Sequence, residues 1–243
     1  MRTLNISKYH GLGNDFIMMS FDDALGLDLE KLSIKVCDRH TGIGADGLIL
    51  VKENPLEMIY FNSDGSRAKM CGNGIRCFSK YCLDKGIVTS NEFLVATLAG
   101  DHHITVKGDN QFEVDMGQAS FKTTDIPMLV NQDEFIDEVI QLDNVDYKLT
   151  SLLMGATHTV IEVQDLQVTD MIEIGKSVQR LEFYPKSTNV NFYEVIREDV
   201  VKMQTYERGA GLTLACGTGA CSVFAVLKRK NQTLKKLKVL LPL

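Results

Sequence analysis

The chain is 243 residues long and 44% hydrophobic, enough for a substantial core in one domain or in two of roughly 120 residues each. A formal net charge of −6 argues against nucleic acid and against an anionic lipid surface as partners, because neither gains from approaching an acidic protein. No run reaches the roughly 18 apolar residues of a membrane span, and no basic stretch followed by an apolar segment and cleavage site opens the chain, so a cytoplasmic protein is expected.

In chain order, strands are expected at Ile6–Tyr9 and Phe16–Met19, joined by a turn at His10–Asn14. A helix over Asp28–Arg39 precedes strands at Leu48–Val51 and Met58–Phe61. A second helix begins beside Cys71, turns Ile75, Phe78, Ser79 and Cys82 inward, and stops at Gly86. Short alternating segments follow at Glu92–Thr97, Ile104–Val106 and Phe112–Met116, and the junction near Gly117–Pro127 reads as the domain boundary. Beyond a polar, acidic stretch come strands at Leu149–Met154 and Thr159–Val163, a helix at Asp170–Gln179, and strands at Asn189–Val195 and Val200–Tyr206. The last helix runs from Cys216 to about Lys230, with Ala220, Val223, Phe224 and Leu227 on its apolar side. The basic residues Lys228, Arg229, Lys230, Lys235, Lys236 and Lys238 near this end read as a solvated face. Short strands with one buried helix per half fit an α+β class.

Met70-Cys71-Gly72-Asn73-Gly74-Ile75-Arg76-Cys77 and Ala215-Cys216-Gly217-Thr218-Gly219-Ala220-Cys221 repeat one another 145 residues apart. The repeat reaches upstream, since Asn62 and Glu207 each end a strand-like run nine positions before the cysteine. Duplication of a strand, loop and helix unit is the simplest reading, and it divides the chain into halves at 1–117 and 118–243.

A thiol at a helix start has its thiolate favoured by the helix dipole, and the neighbouring N–H groups can bind a carboxylate. Two such thiols can act on opposite faces of one carbon, taking a proton from one and returning it to the other, with the N–H donors holding charge that develops on the carboxylate. The scheme needs no pyridoxal phosphate or other cofactor. No metal is expected either: there is no close Cys-x2-Cys pair, and His10, His40, His102, His103 and His158 are scattered. Three other readings stay open at this level: core packing or a regulatory disulfide for Cys71 and Cys216, anion binding without catalysis, and a cysteine nucleophile with His158 as base. Cys37, Cys77, Cys82 and Cys221 read as small buried hydrophobes.

Six motifs carry a resemblance: His10-Gly11-Leu12-Gly13-Asn14-Asp15-Phe16; Gly42-Ile43-Gly44-Ala45-Asp46-Gly47; Phe61-Asn62-Ser63-Asp64-Gly65-Ser66 leading to Cys71-Gly72-Asn73-Gly74-Ile75-Arg76-Cys77; Thr188-Asn189-Val190-Asn191-Phe192; Glu207-Arg208-Gly209-Ala210-Gly211; and Ala215-Cys216-Gly217-Thr218-Gly219. In this order they resemble the diaminopimelate epimerase family, within the cofactor-independent amino-acid racemases and epimerases. The resemblance implies two pseudo-symmetric α+β domains, each a curved, mostly antiparallel sheet around a central helix, and a homodimer. It implies Cys71 and Cys216 as the acid/base pair that interconverts the L,L and meso forms of 2,6-diaminoheptanedioate on the way to lysine. Asn14, Asn62, Asn189, Glu207 and Arg208 match substrate-contacting positions, and the backbone at Gly72-Asn73 and Gly217-Thr218 would hold the reacting carboxylate.

Two departures stand out. The family usually shows Gly-Asn-Pro-His where this chain has Gly155-Ala156-Thr157-His158, and the missing asparagine normally helps hold the distal end of the substrate. Losing such an amide costs about 1 to 3 kcal/mol unless another donor, such as the Thr157 hydroxyl, replaces it. Racemisation of another amino acid, such as histidine, and a non-catalytic amino-acid-binding role therefore remain as alternatives. The chain also ends at Leu240-Leu241-Pro242-Leu243 where relatives continue, so its final strands are expected to be missing.

Overall fold

The computed structural model describes residues 3–231 and 234–242 and separates into two compact units that meet in sequence between Asp115 and Met116. Of the terminal run, Leu243 lies outside the described residues.

The first unit contains β1 (Ser7–Gly11), β2 (Asn14–Ser20), α1 (Leu29–Cys37), β3 (Gly47–Lys52), β4 (Glu57–Asn62), β5 (Arg67–Ala68), α2 (Gly72–Asp84), β6 (Glu92–Thr97), β7 (Gly100–Gly108) and β8 (Gln111–Val114). Its sheet has the order β1-β2-β3-β4-β6-β7-β8, with β5 on β4. Most pairings are antiparallel, but β2 with β3 and β4 with β6 are parallel. A parallel pair needs a crossover, and here each crossover carries a helix: α1 between β2 and β3, α2 between β4 and β6. Because β2 and β4 run in opposite directions while the sheet grows the same way, two right-handed crossovers must put their helices on opposite faces.

The core obeys this. Phe16, Met18, Ile49, Val51, Met58 and Tyr60 pack with Ile75, Phe78 and Cys82 of α2. The alternate residues Ile17, Met19, Leu48, Leu50, Ile59 and Phe61 pack with Cys37, Leu32 and Val36 of α1. Strands buried on both faces read as continuous apolar runs, which is why Phe16–Met19 and Leu48–Val51 show no alternation. α2 touches β1, β2 and β3 and also β8 at the far end of the sheet, so the sheet curls around it. The four inward residues expected on α2, Ile75, Phe78, Ser79 and Cys82, are each fully buried; Ile75 and Phe78 contribute about 1.5–3 kcal/mol each when removed from water, and Ser79 satisfies its hydroxyl on Ile75 O. The β6–β8 meander joins the rest of the sheet through one register pair, Glu57 with Ala96.

The second unit contains β9 (Glu138–Leu142), β10 (Val145–Met154), β11 (Ala156–Glu162), α3 (Met171–Gln179), β12 (Asn189–Arg197), β13 (Val200–Glu207), β14 (Gly211–Thr213), α4 (Gly217–Lys230) and β15 (Lys238–Leu240). The order is β14-β13-β12-β11-β10-β9, with β15 on β13, and the parallel pairs are β11 with β12 and β13 with β15. From β10 to β15 this repeats the series β1 to β6 element for element, with α3 in the place of α1 and α4 in the place of α2. α3 packs over Ile161, Val190 and Phe192, and α4 over Leu152, Val160, Tyr193 and Met203 on the other face.

Two details depart from the sequence expectations. The acidic stretch before Leu149 holds a strand, β9, paired to β10 through a two-residue turn at Asp143-Asn144 with φ of 49° and 65°, residue types that tolerate such a backbone. On α4 the buried stripe is Gly219, Ser222, Val223 and Val226, while Phe224 is half-buried. Where β8 stands against α2, α4 is met by the segment before β9, with Ala119 and Phe121 in its apolar cluster and Glu134 paired to Arg229.

Candidate active site

Each glycine-rich helix start is built the same way. Cys71 has an extended backbone (φ −141°, ψ 122°) and caps α2, its Sγ accepting the Gly74 N–H at 3.4 Å. Cys216 (φ −128°, ψ 109°) caps α4 and accepts the Gly219 N–H, also at 3.4 Å. Sulfur thus occupies the place a serine or aspartate oxygen usually takes, where the helix dipole and an N–H donor both favour negative charge. The second glycine of each motif sits close to its neighbours, far more tightly at Gly219 than at Gly74. A Cβ at Gly74 would lie 3.1 Å from Ile49 Cδ1, and one at Gly219 would lie 2.3 Å from Asn191 Oδ1 and 3.0 Å from Thr205 Oγ1.

In the first unit Asn14, at the start of β2, stands between Cys71 and Asp46. Cys71 Sγ donates to Asn14 Oδ1 at 3.6 Å, and Asn14 Nδ2 donates to Asp46 Oδ2 at 2.6 Å. Asp46 also accepts from the Asp15 N–H (3.0 Å) and from Arg39 Nη2 (2.8 Å). Arg39 reaches Asp15 as well, at 2.7 Å, and Lys8 does so at 2.9 Å. Although burial acts the other way, these two cations hold the Asp15 carboxyl well below the usual range. Asn62, at the end of β4, gives its NH2 to Ser66 Oγ within its own loop (2.9 Å). The Asn73 side chain is buried and turned to Arg76, which leaves Gly72 and Asn73 to contribute their first-turn backbone.

In the second unit Glu207, nine residues before Cys216, is joined to it by a hydrogen bond from the thiol and accepts Thr213 Oγ1 at 2.6 Å. Burial pushes the Glu207 carboxyl up, and these two donors only partly offset it. Thr218 Oγ1 lies 3.4 Å from Cys216 Sγ. Asn189 uses both ends of its amide on backbone, accepting Arg208 N at 2.9 Å and donating to Thr157 O at 3.2 Å. The Arg208 guanidinium is exposed and donates to Lys186 O at 2.7 Å. Thus Glu207, Thr218 and Cys216 come together, whereas Asn189 ties β11 to the Arg208 loop.

The strand registers explain Ala156. Phe16 pairs Gly47 across the parallel join of the first unit, and His158 pairs Asn189 across that of the second. Two residues earlier on the same face stand Asn14 and Ala156, so Ala156 occupies the place from which Asn14 reaches the thiol in the first unit. Its neighbour Gly155 has a φ of 69°, as Gly13 has 80°.

Sequence reasoning gave no role to Asp46 or Arg39, although Asp46 sits in one of the quoted motifs. It also missed the buried layer under α4. Asn191 gives Nδ2 to His158 Nδ1 (3.1 Å) and accepts Thr205 Oγ1 (3.0 Å). His158 is fully buried, and burial, with the Arg208 charge acting the same way, pushes its pKa down to about 4. The imidazole is therefore neutral at physiological pH, with Nδ1 as acceptor. The other cysteines behave as small hydrophobes: burial raises the thiols of Cys77 and Cys82 to about 12, and pushes those of Cys37 and Cys221 up.

A cavity of about 1190 Å³ in the second unit, lined by Tyr147, Thr150, Glu162, Ile174, Tyr193 and Lys230, lies at the other end of β10–β12 and includes none of these site residues. Among the described residues no group of three His, Cys, Asp or Glu side chains is placed to hold a metal ion, and no helix is long and apolar enough to cross a membrane.

The family model for diaminopimelate epimerase matches residues 6–122 and 150–242, which include every helix and both cysteine motifs. The chain belongs to the diaminopimelate epimerase family. Its sequence is 40% identical to the diaminopimelate epimerase of Caldanaerobacter subterraneus subsp. tengcongensis over 97% of this chain and 88% of that protein. It is 42% identical to the one from Methanothermobacter thermautotrophicus over 91% of this chain and 82% of that protein. The fold reaches beyond the family. A probable proline racemase from Agrobacterium radiobacter K84 superposes with a TM-score of 0.66 at 16% identity, covering 98% of this chain and 82% of that one. A PhzF-family phenazine biosynthesis protein from Bacillus anthracis gives 0.65 at 17%, covering 97% and 83%. Both are mixed-sheet α+β folds of the same kind.

Proposed function

We propose that this member of the diaminopimelate epimerase family interconverts L,L- and meso-2,6-diaminoheptanedioate without a cofactor, with Cys71 and Cys216 as the acid/base pair. The observation that carries this reading is the recurrence of one device at equivalent points of a duplicated fold: a cysteine capping a helix, its sulfur taking the N–H three residues on.

In each direction one sulfur enters as thiolate and removes the α-proton while the other, a thiol, delivers its proton to the opposite face. The carbon keeps its bonds except that one C–H breaks and another forms, and the enzyme is left with the two protonation states exchanged. The first-turn N–H groups at Gly72-Asn73 and Gly217-Thr218 take the charge that develops on the adjacent carboxylate, the largest electrostatic contribution available to such a step. Glu207, already hydrogen-bonded to Cys216, receives the thiol proton when that sulfur must act as base, and a carboxyl raised by burial is better matched to this task than a free one. Arg208, exposed and carrying a planar fork, suits the distal carboxylate. Asn14 and Thr218 touch the reacting sulfurs, and Asn14, Asn62 and Asn189 offer their amides to the substrate, Asn62 and Asn189 while also bracing their own loops. A cytoplasmic, reducing compartment suits chemistry that needs both sulfurs unoxidised, and the family resemblance supports a homodimer, which sedimentation analysis would check.

The test is proton NMR in deuterium oxide with L,L-diaminopimelate and, separately, L-histidine. Loss of the α-proton signal with diaminopimelate is expected, together with a fall of at least about a thousandfold in Cys71→Ala and Cys216→Ala that keep the native circular dichroism. Exchange with histidine alone would move the substrate assignment to the Ala156 region, and near-normal turnover by either variant would end the two-thiol mechanism.

A further inference from the structure

Asp46 lies outside the proposed acid/base chemistry, yet four of its hydrogen bonds converge on Asn14 and its neighbour Asp15, one of them from its N–H to the Asp15 carbonyl at 3.0 Å. One carboxylate oxygen takes the Asn14 NH2 at 2.6 Å and the Asp15 N–H at 3.0 Å, and the other takes Arg39 at 2.8 Å. The Asp46 N–H in turn donates to Asp15 Oδ1 at 3.1 Å, closing a clasp between the start of β2 and the loop before β3. An ionised carboxylate has no proton to donate, so the group of Asn14 that faces it must be the NH2. The amide oxygen is then the end left for the Cys71 sulfur. Rotated by half a turn, the same amide would turn its NH2 to the sulfur and favour the thiolate instead of the thiol.

We propose that Asp46, anchored by Arg39, is a positioning residue for the reaction: by fixing the Asn14 amide with its oxygen toward Cys71, it favours the protonated, proton-donating form of that sulfur in the free enzyme, against the helix dipole and the Gly74 N–H that favour the thiolate. The inference deepens the acid/base reading of Cys71 and rests on it. It also gives the Gly42–Gly47 motif a role beyond the pairing of Gly47 with Asn62. Gly42 and Gly44 serve the loop that brings Asp46 to Asn14, since a Cβ at Gly42 would lie 2.3 Å from Lys35 O and Gly44 has a φ of 81°. The charged and titratable groups around the pair are Asp15, Arg39 and Lys8 beside Asp46, and Arg76 and Cys77 on α2.

The experiment reads the sulfur itself. The rate of Cys71 alkylation by iodoacetamide is followed by peptide mass spectrometry between pH 6 and 10 in the unaltered protein, in Asp46→Ala, in Asn14→Ala and in the double variant. Freeing the amide should let its NH2 reach the sulfur, so Asp46→Ala should react about threefold or more faster at pH 7, with its pH profile moved to lower pH. Loss of the Asp46 charge would also lower the profile, but that effect does not pass through Asn14. In the Asn14→Ala background the positioning role therefore predicts a change of less than about twofold on removing Asp46. An equal acceleration in both backgrounds, or none in either, overturns the proposal. Asp46→Leu, which nearly keeps the volume and offers no acceptor to the Asn14 NH2, replaces the alanine variant if that one loses the native circular dichroism. Alkylation needs no turnover, so failure of the epimerase reading, seen as undiminished exchange by Cys71→Ala, is a separate result.

Discussion

Cys71 and Cys216 share a backbone and differ in what faces the sulfur. Cys71 meets a neutral amide whose orientation is imposed by a carboxylate behind it, and Cys216 meets a carboxylate directly, with a threonine hydroxyl beside it. The strand positions that supply these groups correspond: Asn62 matches Glu207, and Asn14 matches Ala156. Duplication kept the helix cap, which depends on backbone and glycine, and let the strand ends diverge. The outcome is a thiol paired with a base in one unit and a thiol held by a fixed acceptor in the other, a difference that suits a reaction whose two faces are not equivalent.

The strongest test of that comparison is steric. Gly219→Ala drives a Cβ against the Asn191 side chain that also holds His158, and should cost about 2 to 3 kcal/mol in urea unfolding. Gly74→Ala meets the end of the Ile49 side chain, which can yield, and should cost about 1 kcal/mol or less. Equal losses would mean that the two helix starts are packed alike after all.

A second difference is in acid. His158, equivalent to the apolar Phe16, is buried neutral with a pKa near 4, so below the ordinary histidine pKa of 6.5 the unfolded chain binds the extra proton. Stability should then fall as the pH drops from about 6.5 to about 4, by about 1.4 kcal/mol per pH unit from this group. His158→Gln should flatten that limb of a pH series of thermal melts; an unchanged slope would place the acid sensitivity elsewhere.

The smallest effect tests what the units share. Ser79 and Ser222 each donate to the carbonyl four residues back, at 2.8 Å in both helices. Their alanine variants should change stability by less than about 1 kcal/mol and by the same amount, because the bond is local to the helix.

Much of this was legible beforehand. The glycine-rich helix starts and the runs buried on both faces carry strong local signals, and Asp28 and Asp170 cap α1 and α3 as their position before apolar periodicity suggests. β9 was hidden because it is short and its alternation is inverted at two places, with apolar Val139 on the exposed side and Glu138 on the half-buried one. The short strands β5 and β14 gave no signal of their own, being fixed by pairing to β4 and β13. At the site, the cysteines and Glu207 announce themselves by spacing. Asp46 and Asn191 act through groups distant in sequence, and no periodicity reports that. Asn189, expected to contact substrate, also bonds Thr157 O and the Arg208 N–H, because two strand ends leave backbone groups that need partners, a need that periodicity does not report.

The single register pair between Glu57 and Ala96 has a kinetic corollary. The β6–β8 meander is held to the first unit by the Ala96 N–H bond to Leu56 O and that seam, and otherwise by apolar side chains such as Val95 and Ile104 lying over α2. It can open without disturbing the β1–β4 ladder, so its amides should exchange with solvent deuterium as one cooperative group and ahead of those in β2 and β3. Such an opening would uncover the flank of α2 and leave the cap at Cys71 in place, a sub-global excursion that native-state hydrogen exchange would register as a separate, lower isotherm.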